Sequence, residues 1–259
     1  MGSRSYSQRQ KTEYLGQHAV LPLPHPIPYP LLAIPDALSP IPSFAFASPS
    51  PFRLIRLVTE HSKVMGKDWA DDRRAANVAL LRATLTETLR GHETLTFEVG
   101  CGHGHWLAAY AAAHPAESCV GIDLITHRVE RSRRKQTLAA LTNVLFLKAE
   151  ATEFLDALPE GKRLAKVFIL YPDPWPKKRH HKNRFISDAN LDRLAAHAAP
   201  GATLHFRTDD EAYHAWTREH LARHARWEIV EGATWPFERA TFFEDMMKGK
   251  RDHTARLRP

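Results

Sequence analysis

Short apolar runs alternate with amphipathic stretches along most of the chain. The runs are Leu95–Val99, Cys119–Ile122, Val144–Leu147, Val167–Tyr171 and Thr203–Phe206. Between them, apolar residues recur with helical spacing near 105–113, 127–141, 152–158, 187–198 and 210–224. Strands separated by helices of this length are typical of βαβ units, which form a parallel sheet covered on both faces. The pattern therefore predicts a doubly wound α/β domain.

Two further segments extend this prediction at its two ends. A helix with one apolar face begins near Asp68 or Asp71, either of which can cap it, and Gly91 follows its end. On the other side, Trp227–Val230 and Ala240–Phe243 have strand character with no good helix between them. That arrangement predicts an antiparallel pair at one edge of a mostly parallel, seven-stranded sheet.

The N-terminal region differs from the rest of the chain. Ten of the 18 prolines fall between Pro22 and Pro51, many at alternate positions. Proline fixes φ and removes a backbone donor, so this run favours an extended, solvated chain over a helix or a central strand. We therefore expect a proline-rich, disordered extension over residues 1–64 and one domain over residues 65–259.

Composition narrows the class of protein. The 259 residues are 43% hydrophobic and 25% charged, which is typical of a globular chain. A net charge of +7 favours polyanionic partners. The two cysteines, Cys101 and Cys119, give no disulfide framework, so a reducing, cytoplasmic location is expected. No apolar stretch is long enough to predict a membrane-spanning helix.

The first predicted strand ends in a glycine-rich turn that follows an acid. Glu98 precedes Gly100, Gly102 and Gly104, and His105 stands where a dinucleotide-binding turn would have glycine or alanine. S-adenosylmethionine has no pyrophosphate to bind, and its ammonium and sulfonium groups favour a nearby carboxylate. The turn therefore favours S-adenosylmethionine over NAD, with Glu98, Gly100 and Gly102 as candidate cofactor-binding residues.

Acids also end the next two predicted strands. Asp123 lies close to the offset at which an acid hydrogen-bonds ribose hydroxyls, a contact that fits NAD and S-adenosylmethionine equally. Glu150 follows the third strand and is placed to meet an adenine. We expect both residues at the cofactor site.

The segment after the fourth strand carries the most information. Prolines flank Asp173 and Trp175, and five cations then follow within residues 177–184, with no acid among them. A run of this kind beside a cofactor cleft indicates a clamp for a phosphate backbone, although a solvated charge run has the same composition. Trp175 can stack on a base or pack within its own loop.

Four segments together resemble the tRNA (guanine-N7)-methyltransferase family. They are Glu98–Gly104, Pro172–Lys177, Thr208–Asp209 with Tyr213, and Thr241–Glu244, in the order and spacing of that family. The resemblance runs from about residue 95 to residue 249. The glycine turn is shared by all class I methyltransferases, whereas the Pro-Asp-Pro-Trp-x-Lys segment with its basic tail is specific.

The resemblance implies a Rossmann-like class I methyltransferase that moves a methyl group from S-adenosylmethionine to N7 of a guanine in the tRNA variable loop. The cofactor contacts of the family fall on Glu98, Asp123, Glu150 and Asp173. Its substrate-side positions fall on Lys177, Asp209, Thr241 and Glu244, and its RNA contacts on Lys178, Arg179, Lys182 and Arg184. Two departures, Phe242 and Asp252, stand where the family has other residue types.

The chemistry of N7 suggests the role of Asp173. N7 carries a lone pair and no proton, so no general base is needed, and a fixed carboxylate can stabilise the positive charge that develops on the purine. We therefore assign Asp173 an electrostatic, catalytic role. No His/Cys cluster has metal-ligand spacing, so no metal is expected.

Other functions remain open at this point. A methyltransferase acting on a different substrate would share the glycine turn, and a non-catalytic RNA-binding module would share the basic segment. An NAD dehydrogenase is disfavoured by His105. The sequence is compatible with a monomer or a homodimer.

Overall fold

The computed structural model describes residues 67–239 and 249–259. Within these ranges it contains seven strands, six α-helices and one 3-10 helix. The strands are β1 Thr94–Val99, β2 Ser118–Asp123, β3 Val144–Lys148, β4 Arg163–Leu170, β5 Ala198–Thr208, β6 Trp227–Ile229 and β7 Arg251–Leu257. The helices are α1 Lys67–Thr88, α2 His105–Ala113, α3 Thr126–Leu138, α4 Ala151–Ala157, α5 Asp188–His197 and α6 Glu211–Arg223, and the 3-10 helix is Lys178–Asn183.

The seven strands form one sheet in the order β3-β2-β1-β4-β5-β7-β6. β1 pairs in parallel with β2 and β4, and β4 pairs in parallel with β5. The chain therefore winds outward from β1 in one direction and from β4 in the other. The predicted doubly wound, mostly parallel sheet is confirmed.

Apolar layers cover both faces of the sheet, as alternation along the strands requires. One layer includes Phe97 of β1 and Phe154 of α4, whose rings stack with centroids 4.4 Å apart. The other includes Trp106 of α2 and Phe168 of β4, at a centroid distance of 4.5 Å. Burial of these large side chains on both faces fixes the register of the central strands. None of the helices in the described ranges is long and apolar enough to cross a membrane.

The second half of the sheet differs in detail from the sequence prediction. The strand predicted at Ala240–Phe243 lies outside the described residues, as does the proline-rich extension over residues 1–64. The antiparallel strand is β7, which the sequence did not predict, and it lies between β5 and β6. Its inward positions are His253, Ala255 and Leu257, a set with too little apolar character to give a strand signal.

Asp252 departs from the family pattern, and its cross-strand partner explains why an acid stands at this position. It lies directly opposite Arg207 of β5, a residue only 3% exposed. The guanidinium donates to Asp252 through Nε at 2.6 Å and to Glu238 through NH1 at 3.0 Å. Its Cζ also lies 4.0 Å from the centroid of the Trp235 ring. Asp252 therefore neutralises a buried arginine and fixes β7 to β5, while Glu238 and Trp235 attach the segment before residue 240 to the same guanidinium.

We expect Asp252→Ala to lower the free energy of unfolding by about 2 kcal/mol, because it leaves donors of a buried guanidinium without an acceptor. Urea denaturation followed by circular dichroism measures this change. Glu228→Ala is the matched control, since it removes a carboxylate 3.9 Å from Arg256 across the exposed β6–β7 pair. Its cost should stay below about 1 kcal/mol. Equal losses in the two variants would contradict this role for Asp252.

Candidate functional site

The carboxyl ends of β1 and β4 meet at the point where the winding of the sheet reverses. β1 continues through a turn into α2, whereas the segment after β4 continues into the 3-10 helix. Because the two connections leave in opposite directions, a crevice opens between them, and ligands bind at this place in open α/β sheets. Glu98 lies in β1, one residue before its end, and Asp173 follows β4, so these two predicted site residues come from neighbouring strands.

The glycine turn after β1 has a backbone that only glycine adopts readily. Gly100, Gly102 and Gly104 have φ angles of 73°, 55° and 67°. A Cβ at Gly100 or Gly102 would meet nothing within 4 Å, so both backbones border open space. A Cβ at Gly104 would lie 2.7 Å from Cβ of Ser132. The first two glycines thus leave room for a ligand, and the third allows α2 and α3 to pack.

Glu98 is a buried acid at the mouth of this turn. The residue is 3% exposed, and its Oε2 has no hydrogen-bond partner among the described residues. Burial, together with the negative charge of Asp123, raises the pKa of Glu98 to about 8. A carboxyl group in this state is stabilised as a carboxylate once a cationic or hydrogen-bond-donating group reaches it.

Asp123 at the end of β2 holds the turn in place. Its Oδ2 accepts a hydrogen bond from the Gly102 backbone N–H at 3.0 Å, and its Oδ1 accepts from Ile125 N–H at 2.8 Å. Arg128 lies 3.7 Å from the same carboxylate. Each oxygen keeps a second lone pair, so the predicted contact with a ribose stays a prediction. Leu124 is 62% exposed beside it, an apolar feature that the sequence alone did not single out.

Glu150 has a structural role, as a helix cap, that the sequence analysis did not predict. It is the N-cap of α4, and its Oε2 accepts from the backbone N–H groups of Thr152 at 2.8 Å and Glu153 at 3.0 Å. Capping of this kind satisfies donors that the first turn leaves unpaired. The cap accounts for the acid at this position, and its expected adenine contact stays a prediction.

The segment after β4 is held in an unusual backbone conformation. Tyr171 and Trp175 have φ angles of 48° and 47°, which non-glycine residues rarely adopt. Asp173 lies between them, exposed, and makes no hydrogen bond or ion pair with any described residue. Strained residues of this kind persist only where their surroundings hold them, and they cluster at functional sites.

Arg184 supplies much of that support. It is 3% exposed, and its Nε donates to the Pro174 carbonyl at 2.8 Å. Its guanidinium carbon lies 4.8 Å from the Tyr213 ring centroid and 5.1 Å from that of Trp216. Sequence reasoning placed Arg184 among the RNA contacts. In the structure it is buried under the loop, because two aromatic rings and a carbonyl bind its guanidinium, and it acts as a support for Asp173.

The remaining cations of this segment face solvent. Lys177, Lys178, Arg179 and Lys182 are exposed, and the last three belong to the 3-10 helix. The segment follows the carboxyl end of β4, next to β1 in the sheet. It therefore lies at the same edge of the sheet as Glu98 and Asp123, the arrangement that a nucleic-acid clamp beside a cofactor site requires.

The other predicted substrate positions are only partly described. Asp209 follows β5 and is half-buried, and its backbone carbonyl accepts from Arg251 at 3.2 Å. Thr241 and Glu244 lie outside the described residues, as does Phe242. Tyr213, noted in the sequence only as part of a motif, accepts a hydrogen bond from Ile186 N–H at 3.2 Å and so links α6 to the loop. Within the described ranges, no group of three or more His, Cys, Asp or Glu residues could hold a metal ion.

Comparison with known proteins relates this site to methyltransferases. The tRNA (guanine-N(7)-)-methyltransferase of Brucella abortus (strain 2308) is 37% identical over 145 residues, which cover 55% of this chain and 62% of that protein. The enzyme of the same name from Rhodospirillum rubrum is 33% identical over 160 residues, or 61% of this chain and 62% of that protein. The matches thus span less than two thirds of the length of these relatives.

A solved structure shares the fold. The crystal structure of the 16S rRNA methyltransferase KamB superimposes with a TM-score of 0.50 at 17% identity, covering 68% of this chain and 94% of that one. In addition, a family model described as "Putative methyltransferase" matches residues 92–253. This match takes in the glycine turn, the Asp173 loop and the basic segment, and it spans more than half of the sequence. The chain therefore belongs to this methyltransferase family.

Proposed function

We propose that this protein transfers a methyl group from S-adenosylmethionine to N7 of a guanine in the variable loop of tRNA. The observation that carries the proposal is the pairing of two features at one edge of the sheet. One is a buried acid, Glu98, whose Oε2 lacks a partner among the described residues. The other is the exposed cationic segment that follows Asp173, in the connection after the neighbouring strand β4. The names of the relatives support guanine N7 of tRNA as the methylated atom.

The residues around the glycine turn fit S-adenosylmethionine. Gly100 and Gly102 border open space, and Glu98 offers a carboxyl oxygen that awaits a partner. Glu98 would hold the ammonium group of the cofactor, and Asp123 its ribose hydroxyls. The bound cofactor supplies a methyl group on a sulfonium, which is activated for transfer to a nucleophile with a lone pair.

Binding of the cofactor is coupled to the loss of a proton from Glu98. Because its pKa is raised to about 8, Glu98 is mostly protonated in the free protein at neutral pH. A bound ammonium group favours the carboxylate, so Glu98 gives up its proton as the cofactor enters. Below a pH of about 8, the affinity for the cofactor therefore rises with pH, because less work is needed to ionise Glu98.

Asp173 has an electrostatic role in the reaction. N7 has no proton to lose, so the chain needs no general base at this step, and the purine gains positive charge as the methyl group arrives. Two unit charges about 4 Å apart attract by about 4 kcal/mol at an effective dielectric near 20. Asp173 is exposed in the protein alone, so its share is smaller until RNA covers the site. The strained, proline-flanked loop holds it in position.

The cations after Asp173 bind the RNA backbone. Lys177, Lys178, Arg179 and Lys182 provide exposed positive charge for phosphates, an interaction that is independent of sequence. Asp209 and the segment Thr241–Glu244 offer acceptors for the N1–H and amino edge of a guanine, and this recognition distinguishes it from adenine. Phosphate contacts thus position the RNA while the acids select the base.

A single-base change in the RNA tests the proposed substrate. The protein, labelled S-adenosylmethionine and unmodified tRNA with guanosine in the variable loop should give labelled 7-methylguanosine, identified by nuclease digestion and chromatography. The same tRNA with adenosine at that position should give none. Equal labelling of both tRNAs would overturn the assignment of substrate, and labelling of neither would leave no basis for a tRNA methyltransferase.

Asp173→Asn should lower kcat by about 10- to 100-fold while the affinity for tRNA changes by less than about twofold. The amide keeps the shape of the side chain and removes its charge, so only charge stabilisation is lost. Single-turnover methylation and filter binding measure the two quantities separately. Asp72→Asn, at an exposed acid of α1, is the control and should leave both unchanged. A raised KM with unchanged kcat in Asp173→Asn would contradict the catalytic role.

A further inference from the structure

Helix α3 carries a row of cations that the proposed reaction does not use. Five of its thirteen residues are Arg or Lys, and Glu130 is its one acid. At about 100° per residue, His127, Arg131 and Arg134 fall on one face of the helix, with Arg128 and Lys135 on the flank. We call these five residues the α3 stripe. Val129 and Ser132, on the opposite face, are buried against the sheet.

Carboxylates of the described residues leave most of the stripe unneutralised. Arg131 and Arg134 are exposed and form no ion pair within the described part of the chain. Arg128 is the exception, 3.7 Å from Asp123. Arg133, which lies off the stripe, is used structurally, since its Nε donates to the Phe146 carbonyl at 2.9 Å. Arg131 and Arg134, which face solvent, therefore keep their positive charges available for a ligand.

The stripe is attached to the glycine turn. Lys135 Nζ donates to the His103 carbonyl at 2.9 Å, and the His127 and His103 rings lie 6.2 Å apart. Burial lowers the pKa of His103, and the positive charges of Arg131, Arg128 and Lys135 lower it further. Burial and the charge of Arg131 likewise lower the pKa of Lys135. Like charges are thus crowded at the edge of the candidate site, where an anion would relieve their repulsion.

The order of the strands places this charge opposite the basic loop. α3 follows β2, the glycine turn follows β1, and the segment 177–184 follows β4, and these strands are neighbours in the order β2-β1-β4. Cationic segments therefore flank the glycine turn on both sides. An extended polyanion that contacts both would pass across the crevice.

We propose that the α3 stripe is a second RNA-binding surface, which contacts backbone phosphates on the side of the glycine turn opposite the 177–184 loop. The proposal rests on the proposed function for the identity of the RNA as tRNA. An anionic membrane is the less suitable partner, because α3 buries its apolar face on the sheet. Leu138, at 77% exposure, is the one apolar side chain of α3 that is fully presented to solvent.

Arg131→Gln combined with Arg134→Gln tests the surface. The double variant should weaken tRNA binding by about tenfold at about 0.1 M salt, and should lower the slope of log K against log salt by about 1 to 2, since each phosphate contact contributes about 0.7 to 0.9. Fluorescence anisotropy with labelled tRNA over a salt series measures both. Affinity for S-adenosylhomocysteine should be unchanged, which shows that the fold and the cofactor site are intact.

The matched control is Arg90→Gln combined with Arg226→Gln. Both residues are exposed and precede strands, β1 and β6 respectively, so they lie at the opposite, amino-terminal edge of the sheet. This control removes the same net charge and should leave the salt slope unchanged. An unchanged slope in the α3 variant, or an equal decrease in the control, would overturn the proposal. So would loss of binding to phosphatidylserine vesicles in the α3 variant with tRNA binding retained.

A third variant separates this proposal from the proposed function. Lys178→Gln, Arg179→Gln and Lys182→Gln together should lower the salt slope if the loop binds RNA. A lower slope in this variant alone, with guanine-dependent methylation in the parent protein, would refute the α3 surface and leave the function standing. A lower slope in the α3 variant without guanine-dependent methylation would support the surface and refute the function.

Discussion

The candidate site depends on one unfavourable interaction, the burial of Glu98. A carboxyl group 3% exposed, with one oxygen unpartnered among the described residues, is costly to ionise. Because its pKa is raised from 4.5 to about 8, the contribution of Glu98 to the stability of the free protein is fully present below pH 4.5 and is lost as the pH rises from there through about 8. A cationic ligand favours the carboxylate, so below about pH 8 part of its binding free energy offsets the cost of ionising Glu98, and its affinity depends on pH.

The opposite side of the crevice is rigid for a different reason. Asp173 stands on a strained loop, and buried groups beneath that loop prevent it from relaxing. Arg184 holds the Pro174 carbonyl, and Trp216 donates to the Ile186 carbonyl at 2.7 Å. Tyr171 N–H donates to the Arg207 carbonyl at 2.7 Å, which ties the start of the loop to β5. Because these contacts fix the backbone that carries Asp173, the proposed electrostatic role needs little reorganisation of the loop during the reaction.

Hydrophobic periodicity predicted the parts of the fold that are built from local patterns. The glycines of the turn could be read from the sequence because positive φ angles and close approaches restrict a position to glycine. The burial of Arg184 could not, because it depends on Tyr213 and Trp216, which come from a helix about thirty residues further along the chain. The same holds for β7, whose strand character comes from pairing with β5 and β6.

Two acids show how a sequence pattern and a structural role can coincide. Glu150 was expected to bind a cofactor because it follows a strand, but the same position is also the N-cap of the next helix. Asp252 departs from the family pattern, and its cross-strand partner, the buried Arg207, accounts for an acid at this position. In both cases the residue type was informative, but the group with which it pairs was set by tertiary contacts.

The proton released when a ligand binds tests the role of Glu98 most directly. Calorimetric titration with S-adenosylhomocysteine, which carries the ammonium group, in buffers of different ionisation enthalpy gives this number. Since the pKa of Glu98 in the free protein is about 8, close to one proton per ligand should be released at about pH 7. Glu98→Gln should abolish that release and bind more weakly. The same proton release in both proteins, or none in the parent, would contradict the account.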